Sequence, residues 1–115
     1  MADRPHILVV EDDPLVSELL LTALEEDYQV TGVETAALGY ERLRAGGVDL
    51  LLLDCTLPGG LGDDLIPEAD RVGVPVVLMS GNPELARGIP GNRRFVSKPF
   101  ALSALLDLVG MALRS

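Results

Sequence analysis

Cysteine and histidine are nearly absent: Cys55 and His6 stand alone in 115 residues. One cysteine excludes an internal disulfide and fits a reducing compartment. A thiol–imidazole nucleophile would need the fold to bring these two side chains together. Tryptophan is missing, and aromatic residues make up only 3% of the chain. Basic residues are also scarce. Nine Lys and Arg stand against eighteen Asp and Glu, a net charge of −9, which argues against direct binding to nucleic acid or to an anionic membrane. No apolar run approaches the ~20 residues that span a bilayer. The opening Met1-Ala2-Asp3-Arg4-Pro5 lacks the apolar core of a signal peptide. A cytoplasmic location is expected. Repeats and low-complexity tracts do not occur.

What is present is an alternation of apolar runs. Hydrophobic residues form 48% of the chain, enough for a core in one domain spanning 1–115. Residues 6–10 read as a first strand. Pro14 opens a helix with Asp12 or Asp13 as its cap. Leu15, Val16, Leu19, Leu20, Ala23 and Leu24 recur at helical spacing as its buried face. Residues 29–33 alternate and predict a second, less buried strand. Thr35 caps a second helix that stops at Gly46-Gly47. Residues 49–54 predict a third strand, whose unbroken leucines imply burial on both faces. A short helix is predicted over 62–71, with Pro67 confined to its early turns, and a fourth strand over 75–80. Asn82-Pro83-Glu84 starts a helix that Gly88, Pro90, Gly91 and Asn92 soon break. A short fifth strand covers 95–97. A last helix runs from about 100 to 113, with Leu102, Leu105, Leu108, Val109 and Ala112 inward. Five such units with short connections imply an α/β fold: a doubly wound, five-stranded parallel sheet with helices on both faces.

Three of these strands run into chemistry. The first ends on Glu11-Asp12-Asp13, the third on Asp54, the fifth on Lys98-Pro99. In a parallel sheet these carboxyl ends share one edge, where α/β proteins place their sites. Carboxylates crowded there are costly unless a cation joins them. Mg²⁺ fits best, since it takes oxygen ligands and needs only one or two carboxylates. Capping accounts for one of Asp12 and Asp13 but not for Glu11 or Asp54. Lys98 can bridge the acids or hold a phosphoryl group as a point charge, and Pro99 after it is a candidate cis peptide. Ser80-Gly81 ends the fourth strand, where a hydroxyl and an unshielded backbone N–H can reach a phosphoryl oxygen.

The motifs Val9-Val10-Glu11-Asp12-Asp13-Pro14, Leu52-Leu53-Asp54-Cys55-Thr56-Leu57-Pro58-Gly59, Leu78-Met79-Ser80-Gly81 and Val96-Ser97-Lys98-Pro99-Phe100 together resemble the response-regulator receiver domain of two-component signalling. The resemblance runs from Ile7 to the last helix. It implies a flavodoxin-like (βα)5 three-layer sandwich. It implies Asp54 as phosphoacceptor, with Glu11 and Asp12 as the acidic pair holding Mg²⁺ (Mn²⁺ being an alternative). Thr56 would lend its backbone carbonyl to the metal, with its side chain facing the attacking water. Ser80 matches the switch hydroxyl, Lys98 the phosphate-binding lysine, and Gly81 and Thr56 flank the phosphate. Phe95 matches the aromatic switch position. Asp13 is left as a cap. The implied activity is Mg-dependent transfer of a phosphoryl group to Asp54 from a phosphohistidine, on a histidine kinase or a histidine phosphotransfer protein. The product would switch binding to a downstream protein. The domain would assist its own phosphorylation and dephosphorylation and not act as an enzyme on other substrates.

The stretch between Ser80 and Lys98 is several residues shorter than receivers usually have, so the fourth helix is expected to be a stub or disordered, and the third helix also reads as cut short. Such a clipped form resembles receivers of hybrid histidine kinases or free-standing ones. No DNA-binding segment follows Ser115 here, so the expected output is another protein, another phosphotransfer step or a domain outside this stretch. Three rival readings stand beside it. A haloacid-dehalogenase-type phosphohydrolase needs a second Asp where Thr56 stands. A nucleotide-binding Rossmann module needs a Gly-x-Gly-x-x-Gly turn where this chain has Glu-Asp-Asp. A degenerate receiver serving only as an interaction module would lack some of the residues present here.

Overall fold

The computed structural model describes residues 4–57, 59–61, 64–89, 91 and 93–114. The expectations that rest on 1–3, Pro58, Gly62, Pro90 and Asn92 lie outside the described residues. Ten elements alternate strictly: β1 (His6–Val10), α1 (Pro14–Leu24), β2 (Gln29–Val33), α2 (Ala36–Ala45), β3 (Leu50–Asp54), α3 (Leu65–Arg71), β4 (Val76–Ser80), α4 (Pro83–Arg87), β5 (Arg94–Ser97) and α5 (Leu102–Arg114). The five strands form one parallel sheet in the order β2-β1-β3-β4-β5.

Local chemistry explains the boundaries. Asp13 Oδ1 accepts from Leu15 N at 2.9 Å and Pro14 takes the first helical position, so α1 starts where its missing N–H loses nothing. Thr35 caps α2, and Gly46 ends it at φ 87°, a conformation that favours glycine. Pro67 is the third residue of α3, still within the first turn. Asn82 Oδ1 accepts from Glu84 N to start α4, which lasts five residues. The Lys98–Pro99 bond is cis.

The sheet alternation divides the core. Ile7, Val9, Leu50, Leu52, Val77 and Met79 pack against α1 and α5 through Leu20, Leu24, Leu105, Val109 and Ala112. Leu8, Val10, Leu51, Leu53 and Leu78 face the other way, against Leu43, Leu65, Ala69 and Ala86 of α2, α3 and α4. The result is a three-layer sandwich. Central β3 is buried throughout, whereas edge strand β2 is not.

One expectation needs correction. Leu15 and Leu19 do not belong to the buried face of α1; they are 76% and 50% exposed. The inner stripe is Leu20 and Leu24, with Val16 and Leu21 partly covered. A helix lying on a flat sheet buries a narrow stripe, and the apolar arc of α1 is wider than that stripe. Among the described residues, no helix is long and apolar enough to cross a membrane.

Candidate functional site

Strand register brings the acids together. Val10 pairs with Leu53, so Glu11 and Asp54 follow on the next rung of adjacent strands. Both are buried to 1% exposure, while Asp12 stands exposed beside them. Glu11, Asp12 and Asp54 each offer a carboxylate oxygen, all within 4.8 Å of one another. Three hard oxygen donors, two buried and one open to solvent, suit a cation of the Mg²⁺ class that keeps water on its outer side.

Lys98 arrives from β5, across the end of β4. Its Nζ donates to Glu11 Oε1 at 3.0 Å and to Asp54 Oδ2 at 3.2 Å. The other Asp54 oxygen is held from its own loop: Thr56 N and Thr56 Oγ1 donate to Oδ1 at 2.9 and 2.7 Å. The carboxylate is thus oriented from both sides. Glu11 Oε2 accepts from Asp13 N at 3.2 Å.

These contacts put the two buried acids in unlike states. Burial pushes the Glu11 carboxyl up to about 7, and its hydrogen bond with Asp54 adds to the rise. Burial also opposes ionisation of Asp54. The hydrogen bonds from Glu11 and Thr56 and the Lys98 charge outweigh it and hold Asp54 below the ordinary carboxylate range. For Lys98, burial opposes the charged form, but its bonds to the two acids win and raise it. Burial and hydrogen bonding thus pull the two carboxyls in opposite directions, ionisation being favoured at Asp54 and opposed at Glu11.

The remaining positions are less direct. Ser80 is fully buried at the end of β4, next to Ser97 in register. Its hydroxyl donates to Asn82 O at 2.6 Å and accepts from Asn82 N at 2.9 Å, so its described bonds lead to the start of α4 and not to Asp54. Gly81 is exposed, and a Cβ there would meet nothing within 4 Å. Phe95 is half-buried against the α2–α4 face. Asn82 escaped notice in the sequence except as a helix cap; that its backbone engages Ser80 depends on a turn that no spacing encodes.

Cys55 follows Asp54 but carries no nucleophile. Its thiol is pushed up to about 11, by burial first and then by the Asp54 charge. His6 begins β1 at the opposite end of the sheet and bonds Gly47 O and Thr31 Oγ1. The thiol–imidazole reading therefore fails on geometry.

A parallel βα sheet with buried acids and a lysine gathered at its carboxyl edge is an α/β protein with its polar site where such folds place one, and comparison with known proteins identifies the class as a signalling domain. The response regulator receiver domain family matches residues 7–110. The transcriptional regulatory protein CseB of Streptomyces coelicolor is 36% identical over 120 residues, covering 99% of this chain and 51% of that protein. The KDP operon transcriptional regulatory protein KdpE of Escherichia coli is 33% identical over 115 residues, covering 95% and 51%. The chain spans about half the length of these curated relatives. Among solved structures, the signal receiver domain of an HD domain-containing protein from Pseudomonas fluorescens Pf-5 superposes with a TM-score of 0.86 at 26% identity, covering 99% of this chain and 90% of that one. The chain belongs to the response regulator receiver domain family.

Proposed function

We propose that this is a working phosphoacceptor domain, a single unit over 1–115, in which Asp54 takes a phosphoryl group from a phosphohistidine on a histidine kinase or histidine phosphotransfer protein. The observation that carries the reading is the bridge of Lys98 between Glu11 and Asp54 at 3.0 and 3.2 Å. A Mg²⁺ ion (or Mn²⁺) held by Glu11, Asp12, Asp54 and the Thr56 carbonyl would neutralise charge on the phosphoryl oxygens.

The chain's own residues do the rest. An Asp54 carboxylate oxygen attacks phosphorus, the P–N bond breaks, and the departing imidazole keeps the bonding pair and takes a proton. Lys98 stays with the transferred group as a fixed positive charge. Ser80 gives up its bonds to Asn82 and donates to a phosphoryl oxygen, with the Gly81 N–H beside it. Phe95 follows, and the altered face is read by a downstream protein. Attack of water on phosphorus later restores the Asp54 carboxylate and releases phosphate. The domain acts in the cytoplasm, contacts proteins and not nucleic acid, and is not an enzyme for other substrates. The dehalogenase alternative is disfavoured by Thr56 at the acid position. A receiver reduced to an interaction module is disfavoured by the intact acid–lysine bridge.

The test is thermal. At a hundredfold excess over Kd, Mg²⁺ with beryllofluoride stabilises a folded binder by about 2.7 kcal/mol, a rise in Tm on the order of 10 °C for a domain of this size. Asp54→Asn removes that rise. A folded wild-type protein whose Tm ignores both ligands overturns the reading.

A further inference from the structure

Helix α4 is only five residues long. On that side of the molecule an ion pair ties α3 to the entrance of β5. Arg93 Nη1 donates to Asp70 Oδ1 at 2.9 Å and Nη2 to Oδ2 at 2.6 Å, the two-pronged fit of guanidinium to carboxylate. The Arg93 side chain is only 13% exposed, so the cation is held largely within the protein. The nearby Arg87–Glu84 contact, 3.4 Å long between mostly exposed side chains, is by contrast an ordinary surface pair. The backbone is shaped around the guanidinium. Gly91 has φ +107°, and a Cβ there would lie 2.8 Å from Arg93 Nη2.

Phe95 sits two residues further on. Beside its ring is a recess of about 140 Å³ lined by Ala86, Arg87, Ile89, Arg93 and Phe95. A cavity of roughly 150 Å³ takes up benzene, so the ring has space of its own size next to where it rests. Arg93, pinned by Asp70, forms part of the wall.

We propose that the Asp70–Arg93 pair is a clasp that holds Phe95 in its resting position, and that the closed clasp favours the unphosphorylated conformation. The direction of this coupling rests on the phosphoacceptor reading above; that the clasp holds Phe95 does not. Coupling is reciprocal: a contact that stabilises the resting state weakens every ligand that selects the other state.

Asp70→Asn keeps side-chain size, Arg93→Gln shortens the side chain, and each removes one charge. In protein labelled with fluorophenylalanine, the Phe95 ¹⁹F resonance is assigned by its loss in Phe95→Leu. Without ligand, that resonance moves in both variants toward its position in wild-type protein with Mg²⁺ and beryllofluoride. Half-saturation by beryllofluoride falls about fivefold or more. The double variant shifts no further than Arg93→Gln alone, because that substitution already removes the pair. Unmoved Phe95 resonances in folded variants overturn the clasp. Additive shifts overturn it as well, as does weaker beryllofluoride binding. A wild-type protein that ignores beryllofluoride sinks the phosphoacceptor reading instead, and the ligand-free resonances still decide whether the clasp holds Phe95.

Discussion

Glu11 and Asp54 are chemically alike and differ only in their neighbours. Burial opposes the charge of both and Lys98 donates to both, but Asp54 also accepts twice from Thr56, whereas among the described residues Glu11 has only the Asp13 N–H besides. The sequence could place both at the sheet edge, but it could not say at which of them ionisation is opposed. The difference has a pH signature. A carboxyl raised to about 7 in the folded protein, against an ordinary value of 4.5, binds its proton more tightly folded than unfolded. Its contribution is fully present below the unfolded value and is lost as pH rises through about 7. In EDTA, the Tm of the wild type relative to Glu11→Gln therefore rises between about pH 8 and about pH 5. The depressed Asp54 loses its own contribution only at more acid pH. Parallel Tm-versus-pH curves for the two proteins would contradict this assignment. Thr56 teaches the same lesson. The resemblance implies a hydroxyl facing water, and the structure shows that hydroxyl bonded to Asp54 Oδ1.

Helices and strands were mostly legible because their signals are local. Asp13, Thr35 and Asn82 each cap the helix that their position announced. Packing between elements is a different matter. Gly39 in α2 reads as a weak helix residue, and alanine there should gain about 1 kcal/mol of helix propensity. The structure gives the opposite sign. A Cβ at Gly39 would come within 2.9 Å of Val10 Cγ2 and 3.3 Å of Leu65 Cδ1, and both partners are buried core residues that cannot step aside. Overpacking of about 1–3 kcal/mol exceeds the propensity gain. Gly39→Ala is thus expected to lower stability by about 1 kcal/mol in urea unfolding. A more stable variant would show that α2 lifts off the sheet freely. The misreading of Leu15 and Leu19 has the same root: periodicity shows which residues share a helix face, not how much of that face the sheet covers.

At the scale of the whole molecule, two core layers share one strand. Leu51 and Leu53 feed the layer under α2, α3 and α4, while Leu50 and Leu52 feed the layer under α1 and α5. Damage to either layer must propagate through β3. Leu51→Ala and Leu52→Ala should each cost about 2–5 kcal/mol, a large fraction of a domain's stability. Each should still give one cooperative transition by circular dichroism and by fluorescence of an introduced probe. Two separated transitions in either variant would mean that the layers unfold independently. The clipped α4 belongs to this scale too. It was visible as Gly and Pro residues crowded between Ser80 and Lys98, but its counterpart, the pairing of Asp70 with Arg93 across 23 residues, was not.

By itself the sequence determined the alternation of elements, the parallel sheet and the acids and lysine at its edge, because apolar periodicity and capping act over a few residues. Tertiary structure decided the rest. Only strand register set Glu11 against Asp54, and only the fold let Lys98 reach both from 44 residues beyond Asp54. Protonation states, the engagement of Ser80 with Asn82 and the clasp on β5 depend on distances through space, where electrostatic energy is set by separation and burial and not by order along the chain.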